Sequence, residues 1–143
     1  MSDSPITLVT QAVVDTINAT TYSLSIVASR TYRPVFEVED PKIYRVSVVP
    51  RGVTHTIHSR DGVQTDIHVD VGIYKKTDLS MASLDAMMGL VEEIAKSLRS
   101  SILYGGFQWL STENVPIYSP DHLDQAKEFV SILTLTFRAV VAR

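Results

Sequence analysis

The sequence predicts an α+β domain, in which a mostly antiparallel sheet is packed on one face by an N-terminal helix and a long central helix, with a short helix before the last strand. Two segments repeat apolar residues at helical spacing, and several others alternate apolar with polar residues as strands do. Helix, several strands, long helix, short helix and strand follow in that order. The 143 residues are a usual length for one domain, so residues 1–143 are predicted to form a single unit.

The first helix is predicted to begin at Pro5, because proline fits the first helical position, and to end near Asn18. Asp3 or Ser4 can cap it by accepting a hydrogen bond from a free backbone N–H. Apolar residues three or four positions apart give the helix one buried face: Ile6, Val9, Val13 and Ile17.

Two strands are predicted next, in YSLSIVAS (residues 22–29) and IYRVSVV (residues 43–49). Every second residue is apolar and lies on one face: Tyr22, Leu24, Ile26 and Ala28 in the first strand, and Tyr44, Val46 and Val48 in the second. The segment RTYRPVFEVEDP between them holds two prolines and mixed charges. It is predicted to form an extended arm at about residues 30–42 rather than a regular strand.

A hairpin is predicted in residues 53–74, turning around Asp61 and Gly62. Its register is chosen by polarity, because a half-buried sheet has one apolar and one polar face. A loop of four residues separates the two kinds of residue. It gives the pairs Ile57–Ile67, His55–Val69 and Val53–Val71 on the apolar face, and His58–Asp66, Thr56–His68 and Thr54–Asp70 on the polar face. In this register His55 is a core histidine.

The long helix is predicted from about Leu79 to Leu103, ending before the two glycines of YGGFQW. Its buried face consists of apolar residues at helical spacing: Leu84, Met87, Val91, Ile94, Leu98 and Ile102. A short helix follows, with Ser119 as its cap and Pro120 at its first position. The chain then forms a strand in residues 130–141, with Leu133, Leu135 and Phe137 on one face and Thr134, Thr136 and Arg138 on the other.

Charge and composition exclude several classes of function. A net charge of −3 argues against a protein whose main role is to bind nucleic acid, which requires an excess of Lys and Arg. The absence of cysteine excludes disulfides, thiolate metal sites and cysteine nucleophiles. No apolar run approaches the roughly 20 residues that span a bilayer, and no secretory signal is visible. We therefore expect a protein made in the cytoplasm, with no membrane partner.

The best enzymatic candidate is the predicted hairpin, whose polar face would hold His58, Asp66, His68 and Asp70. Histidine and aspartate together bind zinc and other divalent metals, which leaves a metal-dependent hydrolase open as an alternative. Strand alternation alone also places polar residues there, and no HExxH spacing is present. There is no nucleophile elbow and no phosphate-binding loop. The sequence therefore predicts no catalytic residue, no metal site and no cofactor.

Basic and aromatic residues alternate around the predicted arm and the strand after it: Arg30, Tyr32, Arg33, Phe36, Lys42, Tyr44, Arg45 and Arg51. Such a strip can bind single-stranded nucleic acid, but the acidic chain favours an arm that docks onto protein. Trp109, beside flexible glycines, is either an interface anchor or a cap on the core. The candidate interface residues are Arg30, Tyr32, Arg33, Phe36 and Trp109.

Four segments of the second half of the chain resemble a known family in their order and spacing. They are VDVGIYKK (residues 69–76), LVEEIAKSLR (residues 90–99), VPIYSPDHLDQAKEF (residues 115–129) and SILTLTFR (residues 131–138). Together they resemble small virion proteins of tailed bacteriophages and prophages, in the neck and tail-completion class that includes tail terminators. The resemblance covers roughly residues 69–143.

The resemblance implies a structural virion protein that acts by assembly and not by catalysis. It implies a ring, typically a hexamer, that caps the tail tube and meets the head-side connector or stopper, with the tail sheath as a further partner in some tails. The ring is built in the host cytoplasm and becomes part of the tail or neck. DNA is expected to pass through without sequence-specific binding, and the acidic balance suits such a channel because carboxylates repel phosphate.

The family has no catalytic residues to carry over, so the matched positions are structural. Pro116, Tyr118, Pro120, His122 and Leu123 match the loop and short helix before the last strand, and Phe129 and Leu133 match its buried positions. Within the same class, the alternative is another neck component, such as a head-completion or stopper subunit.

Overall fold

The computed structural model describes residues 4–22, 24, 26–32, 44–76, 80–99, 106–114 and 128–142. Two helices and five strands follow in the order α1 (Pro5–Ala19), β1 (Ile26–Arg30), β2 (Tyr44–Ile57), β3 (Gly62–Lys76), α2 (Met81–Arg99), β4 (Gln108–Glu113) and β5 (Glu128–Ala142). The sheet order is β1-β2-β3-β5-β4. β1 runs parallel to β2, and the other neighbours are antiparallel. The predicted α+β fold with a mostly antiparallel sheet is confirmed.

Both helices contribute to one hydrophobic core against the sheet. α1 contacts β1, β2 and β3, whereas α2 contacts β4 and β5, and the two helices touch each other. The centre of the core consists of fully buried side chains from helices and strands: Val9, Val13, Ile17, Val46, Val48, Ile67, Val69, Val71, Leu90, Ile94, Leu98, Leu135 and Phe137. Because strand residues alternate in direction, filling this face fixes which residues point away from the helices.

α1 begins as the sequence predicts. The Ser4 hydroxyl accepts a hydrogen bond from the Thr7 N–H at 3.4 Å, and Pro5 occupies the first turn. The helix ends at Ala19, one residue beyond the predicted end. Just before that end, the Asn18 side chain donates to the Ala28 carbonyl at 3.1 Å and accepts from the Ala28 N–H at 3.0 Å. This amide therefore ties the end of α1 to the outer edge of β1.

α2 also follows the prediction over its described length. Ser80 caps it, since its hydroxyl accepts a hydrogen bond from the Ser83 N–H at 3.2 Å. The predicted stripe is buried at Met87, Val91, Ile94 and Leu98, with Leu84 partly buried. Position 102 lies outside the described residues, and so do the helix termini predicted at 79 and 103.

The predicted hairpin register is wrong by four residues. The chain turns with Arg60 and Asp61 at the centre, and the Gly62 N–H donates to the Ser59 carbonyl at 3.4 Å. The observed pairs include Ile57–Val63, Thr54–Asp66 and Val53–Ile67, with a bulge between Pro50 and Gly52.

The polarity criterion failed because the second half of β2 is not buried. Val53 is 40% exposed, Ile57 is 73% exposed, and His55 is exposed and bonded to the Thr65 hydroxyl at 3.2 Å. His55 lies on the predicted side of the sheet but not in the core, so its prediction as a core histidine is wrong. Because exposed apolar residues do not have to face the core, their positions do not determine the register of the hairpin.

The strand β4 was not predicted from the sequence. Its six residues, QWLSTE, lack regular alternation, and a bulge between Trp109 and Ser111 interrupts its pairing with β5. Trp109 packs partly buried against the core, and its indole N–H donates to the Thr112 hydroxyl at 2.6 Å. The predicted short helix at Ser119 and the arm beyond Tyr32 lie outside the described residues.

Candidate assembly surface

The sheet face opposite the helices carries a row of polar residues from three strands, which we call the polar sheet face. It consists of Thr54 on β2, Asp66, His68 and Asp70 on β3, and Thr134, Thr136 and Arg138 on β5. These residues alternate with core residues, so burial of Ile67, Val69 and Leu135 forces them outward. Their side chains are joined across the strands in three groups.

The first group is an ion pair between Asp66 and Arg138, which are directly opposite on β3 and β5. The guanidinium donates to both carboxylate oxygens, from Nε to Oδ1 at 2.7 Å and from Nη2 to Oδ2 at 3.0 Å. The bonds from Arg138 lower the pKa of the Asp66 carboxyl, against the opposing effect of burial, and the electrostatic effects of Arg138 and, least of all, of His68 lower it further. The same carboxylate raises the pKa of Arg138. This two-bond geometry fixes both side chains on the face.

The second group centres on His68, which bridges β2 and β5. Its Nδ1 lies 3.0 Å from the Thr136 hydroxyl, and its Nε2 lies 3.3 Å from the Thr54 hydroxyl. Each hydroxyl can donate or accept, so the ring can be held in either neutral tautomer. Both ring nitrogens are therefore engaged within the sheet.

The third group joins Asp70, Thr134 and Arg51. The Thr134 hydroxyl donates to Asp70 Oδ1 at 2.9 Å, and Arg51 Nη1 lies 3.5 Å from the same carboxylate oxygen. Arg51 also donates to the Thr134 hydroxyl at 3.2 Å while its side chain stays 59% exposed. This end of the polar sheet face therefore presents a positive charge at its border.

The arrangement on this face does not fit a metal centre. Three of the four candidate ligands, Asp66, His68 and Asp70, do share the face, whereas His58 lies beyond the end of β2 beside Gly62. In the described ranges, no three His, Asp or Glu side chains are grouped so as to hold a metal ion. These side chains instead form hydrogen bonds and an ion pair with residues of neighbouring strands.

At the other end, the same face becomes apolar and closed. Tyr74 is 1% exposed and donates to the Ser47 hydroxyl at 2.8 Å, and Val130 beside it is also buried. The tyrosine ring lies over Gly72, where a Cβ would approach it to 3.3 Å. A cavity of about 130 Å³ lies next to them, smaller than usual ligand pockets of about 300 Å³ or more. Alternation along β3 places Tyr74 on the same face as Asp66, His68 and Asp70.

A second surface feature is an open groove of about 640 Å³ between α2 and β4. Its lining includes Glu92, Lys96 and Arg99 from α2, and Trp109 and Thr112 from β4. Trp109, predicted as an interface anchor or a core cap, thus packs on the core and also lines this groove.

The other predicted interface residues are only partly described. Arg30 is exposed at the end of β1, and Tyr32 is 72% exposed just after it. Arg33 and Phe36 lie outside the described residues, as do the structural positions Pro116, Tyr118, Pro120, His122 and Leu123. The burial predicted for Phe129 and Leu133 is confirmed, each being 1% exposed.

No protein-family model matches this sequence, and no curated protein matches it. Among solved structures, the chain is similar to one from the "Virion of native gene transfer agent (GTA) particle", with a TM-score of 0.59 and 14% identity. The match covers 99% of this chain and 100% of the other. The likeness is one of fold, and it extends over the whole of both chains.

None of the helices in the described part of the chain has the length and apolar character needed to cross a bilayer.

Proposed function

We propose that this protein is a structural component of a tailed, phage-like virion, and that it acts by assembly rather than by catalysis. The observation that carries the proposal is the full-length fold match to a chain of a gene transfer agent virion. The sequence resemblance to neck and tail-completion proteins supports it independently, because it rests on residue order and not on the fold. The protein would be built into the particle together with other virion proteins.

Within the virion, we propose the role of tail terminator. Six copies would form a ring that caps the tail tube, with one face on the tube protein and the other on the head-side connector or stopper. Such a ring would be assembled in the host cytoplasm and end in the tail or neck, with the sheath as a further partner in a contractile tail. The net charge of −3 favours free passage of DNA through its centre.

The second candidate is another neck component, a head-completion or stopper subunit. Its sequence support is the same, since the resemblance covers the neck and tail-completion class as a whole. The two roles differ in what happens when the protein is missing. A terminator stops the growth of the tail tube, whereas a neck component on the head side does not.

Deletion of the gene in a strain that produces the particles separates these roles. Electron microscopy should then show tails of uncontrolled length that carry no heads, and a plasmid copy of the gene should restore normal particles. Tails of normal length beside separate heads would instead support the head-side role. Complete, infectious particles would contradict a role in the virion altogether.

The metal-dependent hydrolase remains the alternative from another class. It predicts about one tightly bound zinc or manganese ion per chain, measurable by elemental analysis of purified protein. We expect no stoichiometric metal, and the same result for a His68→Ala variant. Metal present in the natural chain and lost from the variant would favour the enzyme.

A further inference from the structure

The sheet has two free edges among the residues that the structure describes. β1 pairs with β2 from Tyr44 to Val48, and the Thr31 N–H bonds to the Val48 carbonyl at 3.0 Å where this pairing ends. Beyond it, Arg51–Ile57, which we call the free β2 segment, pairs with β3 on one side and with no described residue on the other. β4 likewise pairs only with β5 within the described part of the chain.

We propose that β4 of one copy pairs with the free β2 segment of the next copy, so that neighbouring sheets join edge to edge. This inference rests on the proposed ring and names the two surfaces that close it. Contact between two different surfaces of identical subunits generates a ring when the rotation closes. Closure would also cover the free β2 segment and the outer side of β4.

The strand directions permit this pairing. β2 is antiparallel to β3, β3 to β5, and β5 to β4, so β4 runs opposite to β2. In a ring whose axis follows the strands, every copy points the same way, and β4 meets the next β2 in the antiparallel sense. β4 has six residues and the free β2 segment has seven, so the two edges also match in length.

The composition of the two edges favours pairing. Natural sheets usually protect an exposed edge with lysine, proline or an inward-pointing charge. From residue 53 to residue 57 the free β2 segment reads VTHTI, with Val53 and Ile57 exposed, and Leu110 on β4 is 40% exposed. β-branched residues of this kind form strands readily, and the exposed apolar area would be covered by a neighbour.

Charges at the two edges are complementary at one height of the sheet. Arg51 donates to the Thr134 hydroxyl from the β2 side, and Glu113 on β4 pairs with Thr134 from the other side. When the edges meet at the same height, the backbone of Arg51 in one copy lies beside Glu113 of the next, and the exposed guanidinium would turn from its own Asp70 to pair with it. Opposite charges on neighbouring strands stabilise pairing, whereas like charges oppose it.

The hairpin shows which backbone groups of the free β2 segment point outward. The His58 N–H donates across the hairpin to the Gly62 carbonyl at 3.1 Å. Bonding pairs alternate along an antiparallel ladder, so Thr56 and Thr54 bond inward while His55 and Val53 direct their N–H groups to the free edge. His55 is therefore a position where proline removes an outward donor and leaves the inward ladder intact.

Engineered disulfides test the contact directly, because the natural chain has no cysteine. Thr54 and Gln108 are exposed, lie on the same sheet face and are level with Arg138, Gln108 directly and Thr54 through Asp66. Within one chain, β2 and β4 are three strand spacings apart, about 14 Å, which exceeds the roughly 7 Å limit for a disulfide. A bond between Gln108→Cys and Thr54→Cys can therefore form only between copies.

We expect the double variant to give a ladder of covalent oligomers in non-reducing gels, up to the full ring. Co-expressed single variants should give a dimer that joins one Gln108→Cys chain to one Thr54→Cys chain, while each single variant alone stays largely uncross-linked. That asymmetry is the signature of contact between two different edges. Rings that form without any such cross-link would overturn the inference and leave the proposed ring standing.

A proline variant gives an independent readout by native mass spectrometry. His55→Pro should shift the protein to monomers, whereas the matched control His55→Ala loses the same side chain but keeps the N–H and should remain a ring. Circular dichroism tests if both variants fold. If His55→Pro does not fold, the cysteine cross-links test the pairing instead. Intact rings of His55→Pro would contradict the pairing, and a natural chain that stays monomeric would contradict both this inference and the proposed ring.

Discussion

At the scale of single residues, the polar sheet face is built from bonds that cross strands rather than from isolated polar groups. Asp66 is held by Arg138, His68 by two hydroxyls, and Asp70 by Thr134. Every buried side-chain nitrogen or oxygen in the described residues has a hydrogen-bond partner. Because these side chains already have partners, another protein can cover the face without leaving them unpaired. Unpaired polar groups are costly in an interface.

The ion pair on this face predicts a specific response to acid. Because the folded-state pKa of Asp66 is lowered, its stabilising effect is present above the unfolded pKa, about 3.9, and is lost as pH falls through the folded value. Asp66→Asn should therefore be less stable than the natural protein at pH 7, and the difference should shrink towards pH 2. Urea unfolding across this range measures it.

The control for this prediction is Asp85→Asn, which neutralises an exposed carboxylate on α2. We expect its urea midpoint to follow that of the natural protein throughout the pH range. A constant difference between Asp66→Asn and the natural protein from pH 7 to pH 2 would show that the ion pair is not the source of the stability.

Asn18 predicts an effect on the junction between α1 and β1. Replacement by alanine removes both hydrogen bonds to the backbone of Ala28, a residue that is only 5% exposed. We expect a loss of about 1–3 kcal/mol in the free energy of unfolding, since each of the two part-buried hydrogen bonds contributes about 0.5–1.5 kcal/mol. Gln11→Ala removes an exposed contact to Asp15 and should cost about 0.5 kcal/mol or less. Equal effects of the two changes would contradict this role.

At the scale of elements, hydrophobic periodicity predicted the helices and strands that bury an apolar face in the core. α1, α2 and β5 each present one strongly apolar face, and all three lie where the sequence places them. The hairpin register could not be found in the same way, because Val53 and Ile57 are apolar but exposed. β4 could not be found because a short edge strand with a bulge shows no regular alternation.

For the candidate surface, the sequence predicted which residues share a face but not which residues are partners. Alternation along β3 correctly placed Asp66, His68 and Asp70 on one face, since that pattern does not depend on the partner strand. Their partners on β5 and β2 depend on register, so the Asp66–Arg138 pair could not be assigned from sequence. The free edges could not be predicted from the sequence either, because they depend on the residue at which β1 ends and on β4, which was not predicted.

The arm at about residues 30–42 carries a prediction of its own. Tyr32 at its start is 72% exposed, and basic and aromatic residues follow in the sequence. Deletion of residues 31–40 should leave a folded monomer, because the arm is proposed to reach a neighbouring copy rather than to complete the core. Circular dichroism and native mass spectrometry report the two properties separately, and an unchanged ring would exclude this role.

At the scale of the whole molecule, the fold separates a helix-covered core from the surfaces proposed for assembly. Two helices fill one side of the sheet, and in the described part of the chain the polar sheet face and the two free edges lie outside this core. The same overall fold occurs in a chain of a gene transfer agent virion, at 14% identity and full coverage. In the proposed ring, burial in the core and contact with a neighbouring copy would therefore involve different residues.

The most direct test of the proposed virion role is the assembly state of the purified full-length chain, measured by native mass spectrometry and checked by electron microscopy for symmetry. The proposal predicts a closed ring of six copies of the 15.9 kDa chain, with six-fold symmetry in projection images. A species that remains monomeric at concentrations of tens of micromolar, with no ring in the images, would contradict it.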